Sequence, residues 1–485
     1  MLNLLSDKSG YKDGNAGFYD MNAGLTHRVN ERSQLALNGY YSRDRFSLTG
    51  EEKYSYRNAN ASLKWRQRLG DKLTATLSGG YDYYGYLMKS GYNPAEAFNL
   101  EFTINQSFAG LDFVSYLSDR HTLDFGIGAI RYSLMPGACL PASPESLVIP
   151  DRIQTENALE TSAYLSDLWD ITPALSVHIG LRYTLFNALA SHTTRQAPDF
   201  RLSMRYTIRP DLSFKAGVNT LQQNIHKLSN TTIMSPTDTW KLSDAHIRPQ
   251  KGMQAAAGLY RNFLDNTIEA SIEGYYKSIQ DYLDYRGGAQ LMMNHHLETD
   301  VFSAGGKAYG VELMLKKATG KLTGWVGYSY SRSLLRQDDP AVDEPVNNGN
   351  WYPADYDKPH EFKFAGNYKF TQRYSLSLNC DYSTGRPVTL PAAKYDYMEG
   401  EYVYYSERNQ YRIPDFFRMD MAFNIEPTHH LTVLTHSTIS LGVYNVTGRK
   451  NAYSVYYIAE SGRLNGYMMA IFGAPIPYLS YNIRF

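Results

Sequence analysis

Leu479-Ser480-Tyr481-Asn482-Ile483-Arg484-Phe485, the last seven residues of the chain, alternate strictly: odd positions are apolar or aromatic and even positions polar. Successive side chains of an extended backbone point to opposite faces, so this segment offers one face suited to lipid and one suited to water. The stretch Phe417-Arg418-Met419-Asp420-Met421-Ala422-Phe423-Asn424-Ile425-Glu426 repeats the pattern and gathers Arg418, Asp420, Asn424 and Glu426 on the polar face. Residues 73–78, 309–316 and 374–382 do the same. From residue 16 onward period 2 dominates and no 3.6-residue period is sustained, which makes the chain all-β.

The connections between these segments take turns at being short and long. Short polar turns are expected at 30–32, 69–71, 118–120, 172–173, 209–211, 264–266, 319–321, 371–373 and 427–429. Long loops are expected at 44–57, 85–97, 134–156, 188–198, 227–248, 286–301, 337–357, 388–411 and 447–474. Short turns at one end and long loops at the other mark a transmembrane antiparallel β-barrel of the outer-membrane kind, with the periplasm on the short side. About 19 spanning strands are expected. A soluble sandwich would space its turns regularly and closely, and a propeller would repeat a motif at a fixed period; neither pattern is present.

Composition agrees with a barrel. Mean hydropathy is −0.44 and no run of 18 apolar residues occurs, which excludes a transmembrane helix but not membrane-spanning strands. Aromatic residues reach 14%, with 42 Tyr against 20 Phe, as interfacial girdles require. A formal net charge of 0 gives no basic face for phosphate backbones, so nucleic acid is not an expected partner. No linker divides the 485 residues, and one architecture is expected from 16 to 485, with residues 1–15 as part of an extracellular loop. Cys139, read as lying in a loop, and Cys380, read as lying in a strand, are taken as free thiols.

Several motifs then line up in order. Pro236-Thr237-Asp238-Thr239-Trp240 with Arg248-Pro249-Gln250, and Ser271-Ile272-Glu273-Gly274-Tyr275-Tyr276-Lys277, resemble the mid-barrel region of TonB-dependent receptors of the Bacteroidetes type. Gly306-Lys307-Ala308-Tyr309-Gly310-Val311-Glu312, Trp351-Tyr352-Pro353-Ala354-Asp355-Tyr356-Asp357-Lys358-Pro359-His360, Thr384-Gly385-Arg386-Pro387 and Asn445-Val446-Thr447-Gly448-Arg449-Lys450-Asn451 resemble further signatures of that family, and Pro475-Ile476-Pro477 with 481–485 its closing strand. The resemblance implies a 22-strand barrel in the Gram-negative outer membrane that imports a scarce nutrient, gated by an N-terminal plug and driven by the TonB complex. It also implies that Phe485 is the terminal aromatic read by the barrel-assembly machinery.

Nothing in residues 1–15 resembles a plug, a TonB box or a signal peptide. An odd number of strands would leave sheet edges unpaired in lipid, and roughly three strands are lacking against the family's pattern. The expectation is a chain that begins inside a longer protein, with plug, TonB box and first strands supplied upstream or by another chain. The alternatives are a passive porin-like channel and a non-functional receptor remnant.

Trp240, Trp351 and Tyr352 fall in long loops, where their rings could stack on a small nutrient ligand; interface anchoring and loop packing are the plainer uses of such rings. Trp325 shares a face with the polar residues of its strand and, with Arg418 and Asp420, is a candidate for the lumen wall that meets a plug. His295-His296 and His429-His430 are adjacent pairs that point to opposite faces and suit no metal. Gly126-Ile127-Gly128 lies within an alternating strand, not in a strand-to-helix turn that binds a dinucleotide. The sequon Asn445-Val446-Thr447 goes unused in a bacterial outer membrane. No catalytic group, cofactor or metal is expected, and the chain is not read as an enzyme.

Overall fold

The computed structural model describes residues 15–47, 52–91, 93–228, 238–287, 289–337, 342, 344–397, 400–426, 436–460, 463–470 and 473–484. Their main feature is one 21-stranded antiparallel sheet, of which two members are two-residue stubs and the rest form the wall. In chain order the wall strands are β1 (Asn15–Asn30), β2 (Ser33–Ser47), β3 (Glu52–Arg68), β4 (Leu73–Ser90), β5 (Phe98–Ser118) and β6 (His121–Pro141). Next come β7 (Glu156–Thr172), β8 (Leu175–Ala188), β9 (Thr193–Arg209), β10 (Leu212–Gln223), β11 (Gln250–Phe263), β12 (Ile268–Tyr285) and β13 (Val301–Lys317). The last are β14 (Leu322–Arg336), β15 (His360–Lys369), β16 (Tyr374–Ser383), β17 (Phe416–Ile425), β18 (His436–Tyr444) and β19 (Ile476–Arg484). Each strand pairs with its neighbours in sequence. Among the described residues β1 pairs with β2 alone and β19 with β18 alone.

Register separates two chemistries. The pairs Leu313↔Tyr328, Leu315↔Val326 and Leu441↔Leu479 line an outer face on which Leu77, Ile127, Leu165, Leu181 and Tyr481 are also exposed. The opposite face is polar: Asn60 donates to Asp82, the Tyr164 hydroxyl to Asp112 at 2.6 Å, and Ser440 and Asn424 link to Ser377 in a row across β16, β17 and β18. Glycines let rings lie flat on this inner wall. A Cβ on Gly442 would sit 2.4 Å from the ring of Tyr478, which stacks on Tyr444 with centroids 4.3 Å apart.

Several strands outrun the limits read from sequence. β2 continues to Ser47, β4 to Ser90 and β6 to Pro141, so Cys139 lies in a strand and not in a loop. Alternation fades where side chains leave the lipid, but backbone pairing does not need lipid and carries the ladder on. The long connections also hold hairpins of their own, at Ile225–Leu228 with Thr239–Leu242, Pro391–Tyr397 with Gly400–Tyr405, and Ala452–Glu460 with Arg463–Ala470. The expected turn at 427–429, the pair His429-His430 and Phe485 lie outside the described residues.

Leu378 stands opposite Gly366 and Met421 on the outer face, while its neighbour Asn379 faces inward beside Asp420. Leu378→Arg is expected to cost roughly 2 to 4 kcal/mol near the bilayer midplane and to lower the yield of inserted protein. Asn379→Arg gains a carboxylate neighbour and should insert normally. Equal loss for both variants in a membrane-fraction assay would refute the assigned faces.

Candidate functional site

The end of the barrel that carries the long loops holds the candidate site. On the inner wall there, Tyr86, Phe102, Ile104, Tyr132, Leu134, Ala158, Phe186 and Ala188 form an apolar shelf across β4 to β8. Wall side chains facing an open lumen would be wet, yet these are buried, because the hairpin Ile225–Leu228/Thr239–Leu242 folds inward and lays Leu242, Ile225 and Trp240 on them. Apolar area removed from water, at about 25 cal/mol per Å², drives that docking.

Polar pairs fix where the hairpin lands. Lys241 Nζ lies 2.7 Å from Glu156 Oε1 and 2.9 Å from Asp244 Oδ2. The Leu242 amide donates to the other Glu156 oxygen at 2.9 Å, and Asn224 Nδ2 donates to Glu160 at 2.9 Å. Burial by itself would lower the Lys241 ammonium, but the Glu156 and Asp244 carboxylates hold it above its ordinary value. His226, 3% exposed, shares a 3.0 Å hydrogen bond between its Nε2 and Ser243 Oγ, and burial pushes it down to about 4.

A second loop, 286–300, crosses the mouth. At its root Leu291 and Leu297 pack with Leu228, Ile247, Leu283 and Val301, and Thr239 Oγ1 donates to the Leu291 carbonyl at 3.1 Å. Its tip reaches the far wall, where Met292 and Met293 lie against Tyr54, Met88 and Leu100, and His295 Nε2 sits 2.9 Å from Asp151. Five strands separate β12, which leads into this loop, from β6, which it touches. Met293 lies close over Gly137 on β6: a Cβ there would come within 2.7 Å of its sulfur, and the thioether would have to shift.

A third group ties the remaining loops together. Arg408 donates to Asp284 Oδ2 at 2.9 Å and to the Tyr285 carbonyl at 2.7 Å, and the Tyr352 hydroxyl donates to the same Asp284 oxygen at 2.7 Å. Asn409 donates to Asp355 and the Pro353 carbonyl. Asp357, fully buried, pairs with Arg412 and Arg332.

Below the shelf the inner wall is polar and hollowed. Asn58, Asn60, Asp82, Tyr84 and Gln106 line a concavity of about 510 Å³, and a second of about 540 Å³ towards the short-turn end is lined by Asp170, His178, Arg205, Lys215 and Glu273. Such a wall can hold a solute or a protein segment by hydrogen bonds. Among the described residues no three metal-ligating side chains converge.

The residues singled out by sequence are dispersed. Trp240 belongs to the docked hairpin, and Tyr352 is 1% exposed with no ring face open to the mouth. Trp351 stands outside the barrel between Lys307 and Arg336. Trp325 pairs with Lys316 and Ala365 on the inner face. Arg418 Nε contacts Asp420 Oδ1 at 2.8 Å, and Asp420 also accepts the Asn445 amide. The inward hairpin was not anticipated; the alternation of Trp240 and Leu242 around Lys241 was its only sign.

A family model described as the TonB-dependent receptor-like β-barrel matches residues 3–446. Among solved structures, the chain is similar to the ferric-catecholate import receptor Fiu of E. coli K12, at 11% identity and TM-score 0.65, over 98% of this chain and 76% of that one. It is similar also to BauA, the ferric preacinetobactin receptor of Acinetobacter baumannii, at 12% identity and TM-score 0.67, over 98% and 73%. The iron transporter FrpB of Neisseria meningitidis aligns at 14% identity and TM-score 0.65, over 96% and 71%. No curated protein matches in sequence.

The depressed His226 has a consequence for the docked hairpin. An undocked His226 titrates near 6.5 and the docked one near 4, so the open state binds more protons between those values. Docking is therefore intact above about pH 6.5 and weakens as pH falls towards 4, by on the order of 3 kcal/mol. In a background with both native cysteines replaced, Ile225→Cys should react faster with an impermeant maleimide at pH 5 than at pH 7, after correction for thiolate content. His226→Gln should remove the difference; an unchanged pH response in that variant would contradict the assignment.

Proposed function

The chain belongs to the TonB-dependent receptor-like β-barrel family, and from that premise we propose that it forms the wall of an energised import pathway for a scarce nutrient across a Gram-negative outer membrane. The family and the matched structures are receptors and transporters, not enzymes. The ordered motifs from Trp240 to Asn451 favour the Bacteroidetes branch of the family. Residues 16–485 are the barrel portion, inserted by the barrel-assembly machinery with Phe485 as its signal. A plug coupled to the TonB complex is the partner of the polar inner wall, where Trp325, Arg418 and Asp420 stand.

One observation carries this reading: two long loops fold inward and meet over a lumen that is polar below them. A passive pore gains nothing from a mouth closed by an apolar shelf and buried ion pairs. A receptor that first captures a dilute solute and then admits it does. The solute lands on the loops, the paired strands Ile225–Leu228 and Thr239–Leu242 lift from their shelf, and the hydrogen-bonding wall beneath receives the cargo.

Deletion of the gene should slow growth when a single nutrient is limiting, and the defect should vanish as a separate effect in a strain that already lacks TonB. Liposome swelling by small sugars through the complete, plugged protein, together with TonB-independent growth, would instead assign a porin-like channel.

A further inference from the structure

Strand β9 carries its cations on the inner wall. The pairs Arg195↔Phe186 and Ser203↔His178 fix its odd-numbered residues to the face of the apolar shelf, which places Arg195, Arg201 and Arg205 inward. Asp199, the one carboxylate among them, stands opposite Arg182. Arg195 is at the mouth, where its guanidinium donates to the Asp244 and Ala245 carbonyls at 2.9 and 3.2 Å, and its buried Nε has no acceptor among the described residues. Arg201 lies about 20 Å further down the strand and Arg205 about 14 Å beyond that.

At Arg205 the stripe becomes a pair. Arg205 is directly opposite Lys215 of β10, a position in which like charges repel. In register, the row runs Asp170, Ser176, Arg205, Lys215, Gly258, Glu273 from β7 to β12, so the carboxylates of this row stand two strands, about 10 Å, to either side. Both are engaged elsewhere. Asp170 accepts the Ser176 hydroxyl at 2.6 Å, and Glu273 accepts the Tyr260 hydroxyl. The Tyr260 ring lies over Gly258, where a Cβ would come within 3.3 Å of it, and takes the Lys215 ammonium 4.3 Å from its centroid. The ring therefore stands between Lys215 and Glu273. Among the described residues no carboxylate forms an ion pair with Arg201, Arg205 or Lys215. One row nearer the mouth Ser203, Gly217 and Ala256 are all small, and the concavity of about 540 Å³ opens over them with the two cations at its margin.

We propose that Arg205 and Lys215 bind a carboxylate or phosphate group of the imported solute, passed down to them from the mouth by Arg195 and Arg201. The inference deepens the import reading above and rests on it. An oxyanion between the two cations replaces their repulsion with charge-assisted hydrogen bonds, and the small residues beside them leave room for the rest of the molecule. Lifting of the loop that bears Asp244 and Ala245 releases Arg195, so the uppermost cation is freed in the state that admits cargo.

The test is calorimetric titration of the full chain, purified in a non-ionic detergent, with citrate, its neutral triethyl ester and inorganic phosphate. Citrate should bind at a single site and the ester should not. R205Q/K215Q should weaken citrate roughly tenfold or more, and R205K should keep most of the affinity. K363Q removes an inner-wall cation already paired with Glu361 and should leave binding unchanged. Heat-modifiable gel mobility should confirm that each variant is folded. Phosphate bound with the same dependence on Arg205 and Lys215 would support the site as one for oxyanions at large. Equal binding of the ester, or full citrate binding by the folded double variant, would overturn the proposal. So would the absence of binding by either anion, which would give the two cations to a carboxylate of a protein segment in the lumen. Anion binding by a protein that supports no TonB-dependent growth would defeat the import reading and leave the site standing. Undiminished TonB-dependent growth of the double variant would leave import standing and take the two cations out of its path.

Discussion

Hydrocarbon offers no hydrogen bonds to an amide, and this one constraint organises the chain. Every backbone N–H and C=O at membrane depth must find a partner in a neighbouring strand. Among the described residues the ladder meets that demand strand by strand from β2 to β18, each paired with those next to it in sequence through short turns at one end and long loops at the other, while β1 and β19 are each paired on one side. Side-chain alternation follows as a consequence. With backbone groups consumed by the ladder, only parity decides which residues touch lipid and which line the lumen. The same parity puts Leu378 outside and Asn379 beside Asp420.

Above the lipid the constraint relaxes and a different balance takes over. Water satisfies loose backbone, so loops are free to choose their positions by burial and charge. The paired strands Ile225–Leu228 and Thr239–Leu242 choose the inner shelf because Leu242, Ile225 and Trp240 lose water there, and Lys241 follows only because Glu156 and Asp244 receive it. A buried ion pair of this kind adds little net stability but makes wrong placements costly, since either partner alone would be left charged in a dry site. The lock among Asp284, Arg408 and Tyr352 works in the same way on the other loops.

The fold was legible in the sequence because its rule is local. Period 2 needs only neighbouring residues, and eight of the nine expected short turns contain Asn, Asp, Gly or Pro. Loop positions were much less legible. That Met293 rests against Gly137, or that Glu156 waits for Lys241, depends on contacts 85 or more residues apart in sequence. The ends of β4 and β6 were set too early for a related reason: the alternation signal reports lipid, while the ladder continues after lipid ends. Trp351 and Tyr352 were grouped as mouth aromatics from their loop context, although alternation already separates adjacent residues.

That dipeptide shows how far parity reaches. Trp351 and Tyr352 are bonded neighbours, yet one ring stands among outward cations and the other donates to Asp284 within the loop lock. The short pairing of Tyr352 and Pro353 with Leu335 and Leu334 fixes both at once, because turning one ring over would turn the other. The loop lock therefore sets the outer surface too. As long as Asp284 and Arg408 hold Tyr352 inward, Trp351 has no other direction to take, and the indole stays between Lys307 and Arg336 whatever the mouth of the barrel is doing.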